Sequence, residues 1–252
     1  LAEARIAMVD STWYMWLSVD PLADKYPGNT PYMYCLGKPI RLVDPKGKGV
    51  AVTSNDDTGA SYTVIGGAVD MEDCNVYLVD NGYDVSKNGK PQDATILTQT
   101  ATPYTFCNEQ GNIVGKPCID MNDNSGNLFM TRFQNNEIPL SLYVLPTAGI
   151  EGNLSGWPGG NYDFKTQGDA NRGMPLLILG GKIATARDVG NLAAGYLAGR
   201  KGISYGATMW AFDALQNITT PNCTTGEPPV SHWPQLIGYA LGQHARRTSK
   251  SA

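Results

Sequence analysis

Two short polar stretches in the C-terminal part of the chain carry side chains suited to phosphoryl or glycosyl chemistry: Tyr162-Asp163-Phe164-Lys165, and Arg187-Asp188 with Asn191. In an extended segment Asp163 and Lys165 point to one side and Tyr162 and Phe164 to the other, because side chains alternate along a strand. Asp188 and Asn191 are three apart and share a face if the segment is helical, near an N-terminus whose free N–H groups favour an anion or an orienting acceptor. Brought together, Lys165 and Arg187 would stabilise charge developing on a phosphoryl oxygen. Asp163 or Asp188 would act as base or orient one, and Asn191 would donate a positioning hydrogen bond. The same two carboxylates also suit a glycosidase, one protonating the leaving oxygen and the other serving as nucleophile or base. His232, in "EPPVSHWPQ", is a further candidate general base, with Glu227 in the same stretch beside it. Tyr162 and Arg172 are candidate substrate-binding residues. The quieter reading makes Asp188 a helix-terminal charge paired with Arg172 or Lys182 and His232 a partly exposed helix-end residue. Trp157, Tyr162, Trp210 and Trp233 are either a stacking platform for a base or sugar, or aromatic core.

The elements that must position these groups are legible in outline. Helical periodicity runs over about 186–200, 204–217 and 231–246, with Ser204 and Ser231 at N-cap positions and "TTPNCTTGEPP" as a breaker. The first of these helices contains Gly190, Gly195 and Gly199, each costing up to about 1 kcal/mol relative to Ala, which close packing or a close ligand must offset. Ala186, Gly190, Ala194 and Ala198 recur every four residues and predict a ridge of small side chains that admits a second backbone. Upstream, the runs "SYTVIGG", "NVYLV", "ATILT", "NLFMTRF" and "LSLYVL", with Asn81-Gly82 and Asn88-Gly89 among them, predict antiparallel hairpins. Asp-Pro, Tyr-Pro and Lys-Pro pairs before residue 49 exclude a helix bundle there. The expected class is α+β: a β-rich N-terminal and middle part (1–49 and 50–150) and a helical C-terminal part (151–252).

Composition narrows the function classes. The chain has 252 residues and 42% hydrophobic content, which fits one large folded domain, alone or with an appendage. The longest apolar runs fall far short of the ~20 residues of a membrane-spanning helix, so no membrane insertion is expected. The chain begins at Leu1 without a signal-like leader and reads as a fragment of something longer. Five cysteines without a C-x-x-C pair, and two histidines, supply a zinc site poorly; no metal and no cofactor is expected. A single Cys107–Cys118 bridge is left open. Residues 1–149 hold 10 Lys/Arg and 17 Asp/Glu, a net −7, whereas residues 150–252 hold 9 and 6, a net +3. That split hints that the C-terminal part meets an anionic partner.

The segment "WLSVDPLADKYPGNTPYMYCLGKPIRLVDPKG" (16–47), with Asp10 upstream, resembles the end of the RHS repeat-associated core of Bacteroidetes proteins. In that family the segment closes a β-shell around a toxin, and the variable toxin follows the Asp-Pro-x-Gly motif, here Asp44-Pro45-Lys46-Gly47. The resemblance implies self-cleavage by a pair of aspartates, for which Asp20 and Asp44 stand, although the first motif reads Asp-Pro-Leu-Ala where the family has Gly. The alternative for both is a turn in a shell strand. From "YTVIGGAVDMEDCNVYLVDNG" through "YDFKTQG", "RGMPL" and "IATARDVGNLAAGYLAG" to "FDALQ", the chain is similar to the polymorphic toxin type 44 module. This resemblance implies an exported effector of interbacterial competition, delivered into a target bacterium and neutralised by a cognate immunity protein. The expected activity is a metal-independent nuclease acting on RNA. The alternatives are a peptidoglycan-cleaving glycosidase and a non-catalytic extension of the RHS protein.

Overall fold

The computed structural model describes residues 9–10, 15–16, 49–67, 73–84, 94–113, 115–135, 137, 163–166, 168–219 and 226–249. The chain separates into two units, Leu1–Gly47 and Lys48–Ala252. In the first, β1 (Val9–Asp10) pairs antiparallel with β2 (Met15–Trp16), Val9 opposite Trp16. Asp20 and Asp44 lie outside the described residues.

The second unit is built on seven strands: β3 (Val50–Ser54), β4 (Ser61–Gly66), β5 (Asn75–Leu78), β6 (Thr95–Gln99), β7 (Cys118–Asp120), β8 (Gly173–Leu176) and β9 (Lys182–Thr185). Their order is β6-β5-β3-β4-β7-β8-β9. The two edges approach each other, Ala101 N–H donating to Ile183 O at 2.7 Å, so the sheet is nearly a barrel. Alternation fills its interior: Val50 and Val52, Tyr62 and Val64, Val76, Ile119 and Ile183 point inward around Phe106. Phe106 has a left-handed backbone (φ 71°) and no exposed surface. Its ring lies against Gly173, where an added Cβ would come within 2.7 Å of Phe106 Cζ.

The α+β class holds, with four departures in detail. The sheet is mixed rather than antiparallel, since β3 pairs with β5 and β7 with β8 in parallel. Asn81-Gly82 does not close a tight hairpin, because β5 ends at Leu78 and β6 begins at Thr95; Asn88-Gly89 and "LSLYVL" lie outside the described residues. The run "NLFMTRF" belongs to a helix, α1 (Ser125–Gln134). Its buried residues Gly126, Phe129, Met130 and Phe133 follow a helical period, while Leu128 is left 65% exposed. A hairpin also appears where only loop and helix were expected: β8 turns into β9 through Gly180 and Gly181, both left-handed (φ 71° and 84°).

Three helices follow: α2 (Ala186–Lys201), α3 (Tyr205–Thr219) and α4 (Pro229–Thr248). Ser204 caps α3, its Oγ accepting from Ala207 N–H at 3.3 Å. Ser231 does not cap α4; Pro228 holds that position and Pro229 opens the helix, where its missing N–H costs nothing. The apolar faces of α1 and α2 cover the outer face of the β8–β9 hairpin, joining Phe129, Phe133, Leu192 and Leu197 to Met174, Leu176 and Ala184 in one core.

The contact between α2 and α4 answers what the glycines are for. An added Cβ at Gly195 would strike the backbone of Gln235 and Tyr239, and one at Gly199 that of Tyr239 and Gln243. Reciprocally, Gly238 faces the backbone of Leu192 and Tyr196, and Gly242 that of Tyr196 and Arg200. Two G-x-x-x-G faces thus meet backbone to backbone. Residue numbers rise together along both helices, so they run parallel and start level, Asp188 alongside Ser231. The expected ridge is displaced: the seam runs through Gly195 and Gly199, not Gly190 and Ala194. At Gly190 an added Cβ would meet only Phe164 Cβ, at 3.9 Å, an ordinary contact.

Candidate active site

The polar stretches singled out by type and spacing lie at the shared starting end of α2 and α4. Thr185 begins α2 with a capping box: its Oγ1 accepts from Asp188 N–H at 3.2 Å, and Asp188 Oδ2 accepts from Thr185 N–H at 3.0 Å. Asp188 has no exposed surface, so substrate does not reach its carboxylate in this conformation. Arg172 does not pair with it, but with Asp123 at 3.5 Å, while its guanidinium also stacks over Phe164 at 5.1 Å.

Arg187 turns the other way. Its Nη1 donates to Cys107 O at 3.0 Å and its Nη2 to Tyr104 O at 3.2 Å, pinning the loop on either side of Phe106. Those bonds draw the guanidinium away from the phosphoryl-stabilising role expected of it. The same neighbourhood holds Cys107, whose thiol is pushed up to about 11 by burial, with Arg187 pulling it down and Asp188 pushing it further. Cys74, Cys107 and Cys118 are all free thiols, so the Cys107–Cys118 bridge does not form.

Residues 164–166 form a 3-10 turn, not an extended strand. The alternation expected of 163–165 is therefore lost: Asp163 and Phe164 are both buried and Lys165 is exposed. Phe164 beds on α2 at Gly190 and against Phe129, ring centroids 4.7 Å apart, which carries Lys165 to the helix pair. Tyr162 and Trp157 lie outside the described residues.

The charge of Lys165 reaches Glu227. Burial raises the proton affinity of its carboxyl and the nearby Asp213 adds to the rise; hydrogen bonds from Gln235 and Ser231 and the charge of Lys165 oppose it without cancelling it. Gln235 Nε2 donates to Glu227 Oε1 at 3.0 Å. The backbone is held as tightly: Glu227 N–H donates to Asp213 Oδ1 at 2.9 Å and Gly226 N–H to Asn217 Oδ1 at 3.0 Å. Gly226 has φ 77°, and an added Cβ would sit 2.5 Å from Asp213 Oδ1, so only glycine fits this turn. His232 follows Ser231 on the first turns of α4 and is partly exposed, as is Trp233.

Among the described residues, four buried polar atoms lack a protein hydrogen-bond partner: Arg187 Nε, Asp188 Oδ1, Asn191 Nδ2 and Gln235 Oε1. All four belong to the early turns of α2 and α4. Unmatched buried donors and acceptors are costly and uncommon, and they cluster where structure is subordinate to function. The arrangement offers a carboxyl of raised proton affinity, a cation and a histidine. Sequence reasoning placed Glu227 beside His232 but missed Asp213 and Gln235. Only the four-residue spacing of Ser231 and Gln235 on one helix would have signalled the latter.

No protein-family model, no curated protein and no solved structure matches the chain. Among the described residues, no helix is long and apolar enough to cross a membrane.

Proposed function

We propose that the C-terminal unit is a toxin module that cleaves RNA by side-chain acid–base chemistry, carried as the variable end of an RHS-type effector and held in check by an immunity protein. The resemblance of 16–47 to an RHS core supports the effector assignment. The chemistry rests on one observation: Glu227, half-buried and with a raised proton affinity, is gripped by Gln235 within reach of the charge of Lys165. Glu227 takes the proton of a ribose 2′-hydroxyl, whose oxygen attacks the adjacent phosphorus while the bond to the 5′-oxygen breaks. His232 donates a proton to that leaving oxygen, and Lys165 stabilises the charge on the phosphoryl oxygens. The products are a 2′,3′-cyclic phosphate and a free 5′-hydroxyl. Asp188 and Arg187 act by setting α2 and its neighbouring loop rather than on substrate.

A second reading, a peptidoglycan glycosidase, is favoured by the Asp213 carboxyl beside a Glu227 of raised proton affinity, the acid-and-carboxylate pairing such enzymes use. The deciding experiment incubates the purified chain with total RNA in chelator and, separately, with sacculi. RNA breakdown that falls about 100-fold or more in Glu227→Gln and Lys165→Met supports the nuclease. Release of muropeptides with RNA intact supports the glycosidase, and inertness on both supports a non-catalytic extension.

A further inference from the structure

We propose that Trp210 is a base-stacking platform and that the open stripe of α3 seats a single strand of RNA beside Glu227; this rests on the reading of Glu227 as the reacting group. Gly206, Trp210, Asp213 and Asn217 follow one another at helical spacing and share one face of α3. The C-terminal half of that face is occupied, since Asp213 and Asn217 accept the backbone N–H groups of Glu227 and Gly226. The N-terminal half is open. Trp210 is 73% exposed, and an added Cβ at Gly206 would meet nothing within 4 Å. The helix does not need this indole for packing, because Met209 and Phe212 supply its buried contacts.

Charge and length select the occupant. At one end of the stripe Glu227 N–H is held by Asp213 Oδ1, and the charge of Lys165 reaches Glu227. At the other, Lys201 is exposed, and the Arg246 guanidinium lies against Gly202 just before α3 begins. These cations belong to a segment (150–252) whose net charge is +3 from 9 basic and 6 acidic residues, which suits a polyanion. Trp210 lies three residues from Asp213, about 4.5 Å along the axis, close to one stacked nucleotide step. A base next to the scissile phosphate therefore reaches the indole, with no preference for its identity because every base presents a π-face.

The test measures binding of a fluorescent oligouridylate to the full chain carrying Glu227→Gln, with and without Trp210→Ala or Trp210→Phe. Trp210→Ala is expected to weaken binding about 10- to 100-fold and Trp210→Phe only a few-fold. In the active background Trp210→Ala should raise KM by the same factor and leave kcat and the melting temperature in place. Unchanged binding and KM in Trp210→Ala would overturn the platform, as would Trp210-dependent binding of an N-acetylglucosamine oligomer with none of RNA. The two readings fail separately: cleavage by Glu227→Gln at the parental rate removes the catalytic assignment while a Trp210-dependent affinity stands. Loss of cleavage in Glu227→Gln with an indifferent Trp210→Ala does the reverse.

Discussion

Beyond Leu192, α2 presses its backbone against α4 through Gly195 and Gly199; before it, the same helix buries a carboxylate, leaves Arg187 Nε, Asp188 Oδ1 and Asn191 Nδ2 unmatched, and carries a glycine that nothing crowds. The contrast separates two reasons for keeping poor helix formers. In the later turns glycine is required by contact geometry, because two main chains occupy the space of a side chain. In the early turns no such contact crowds Gly190, and the unusual residues there coincide with the unmatched buried polar atoms.

Substitution should expose the difference most strongly at the seam. Gly195→Ala or Gly238→Ala places a methyl group into a facing backbone that has no flexible side chain to give way, and each is expected to cost at least about 3 kcal/mol in denaturant unfolding. Gly190→Ala should instead be neutral or stabilising by up to about 1 kcal/mol. Equal penalties at 190 and 195 would erase the distinction.

Asp188→Ala comes next. It removes a buried capping box and is expected to cost about 1–2 kcal/mol, whereas Asp188→Asn, which retains an acceptor for Thr185 N–H, should cost less. If Asp188→Asn abolished activity without loss of stability, Asp188 would belong to the chemistry after all.

Smaller still is the pH response of Glu227. Its folded carboxyl holds its proton above the ordinary value of 4.5, so its contribution is fully present below that value and is lost as pH rises through the raised one. Glu227→Gln should therefore gain stability relative to the parent at neutral pH and not near about pH 4, as read from denaturation midpoints. Activity carries an opposite sign for the two chemistries: a general base gains rate as pH rises through the raised value, while a general acid loses it. The least perturbing probe is alkylation, in which the exposed Cys118 should react readily while the buried Cys107, pushed up to about 11, stays protected until unfolding.

How far the sequence foretold these features depends on whether the cause was local. The three C-terminal helices were legible because apolar period, Ser204 and the breaker before Glu227 act within a few residues. "NLFMTRF" was misread as a strand because a short apolar run fits both periods, and only burial of Phe129, Met130 and Phe133 together with exposure of Leu128 decides. The parallel pairings of β3 with β5 and β7 with β8 have no local signature at all. Residue type singled out Lys165 and the Asp188 region, which lie at the start of α2 and in the turn packed on it. The engagement of Arg187 with Tyr104 and Cys107, and of Asp213 with Glu227, joins residues remote in sequence and was not legible.

The loop through Phe106 is bent into a conformation its side chain resists, and it stays there because the ring is enclosed and Arg187 grips the carbonyls to either side. Such a segment has no halfway state: if the ring leaves, the backbone relaxes and both grips fail together. The amide hydrogens around it should then exchange with solvent in one concerted event, at a single rate, rather than fraying residue by residue.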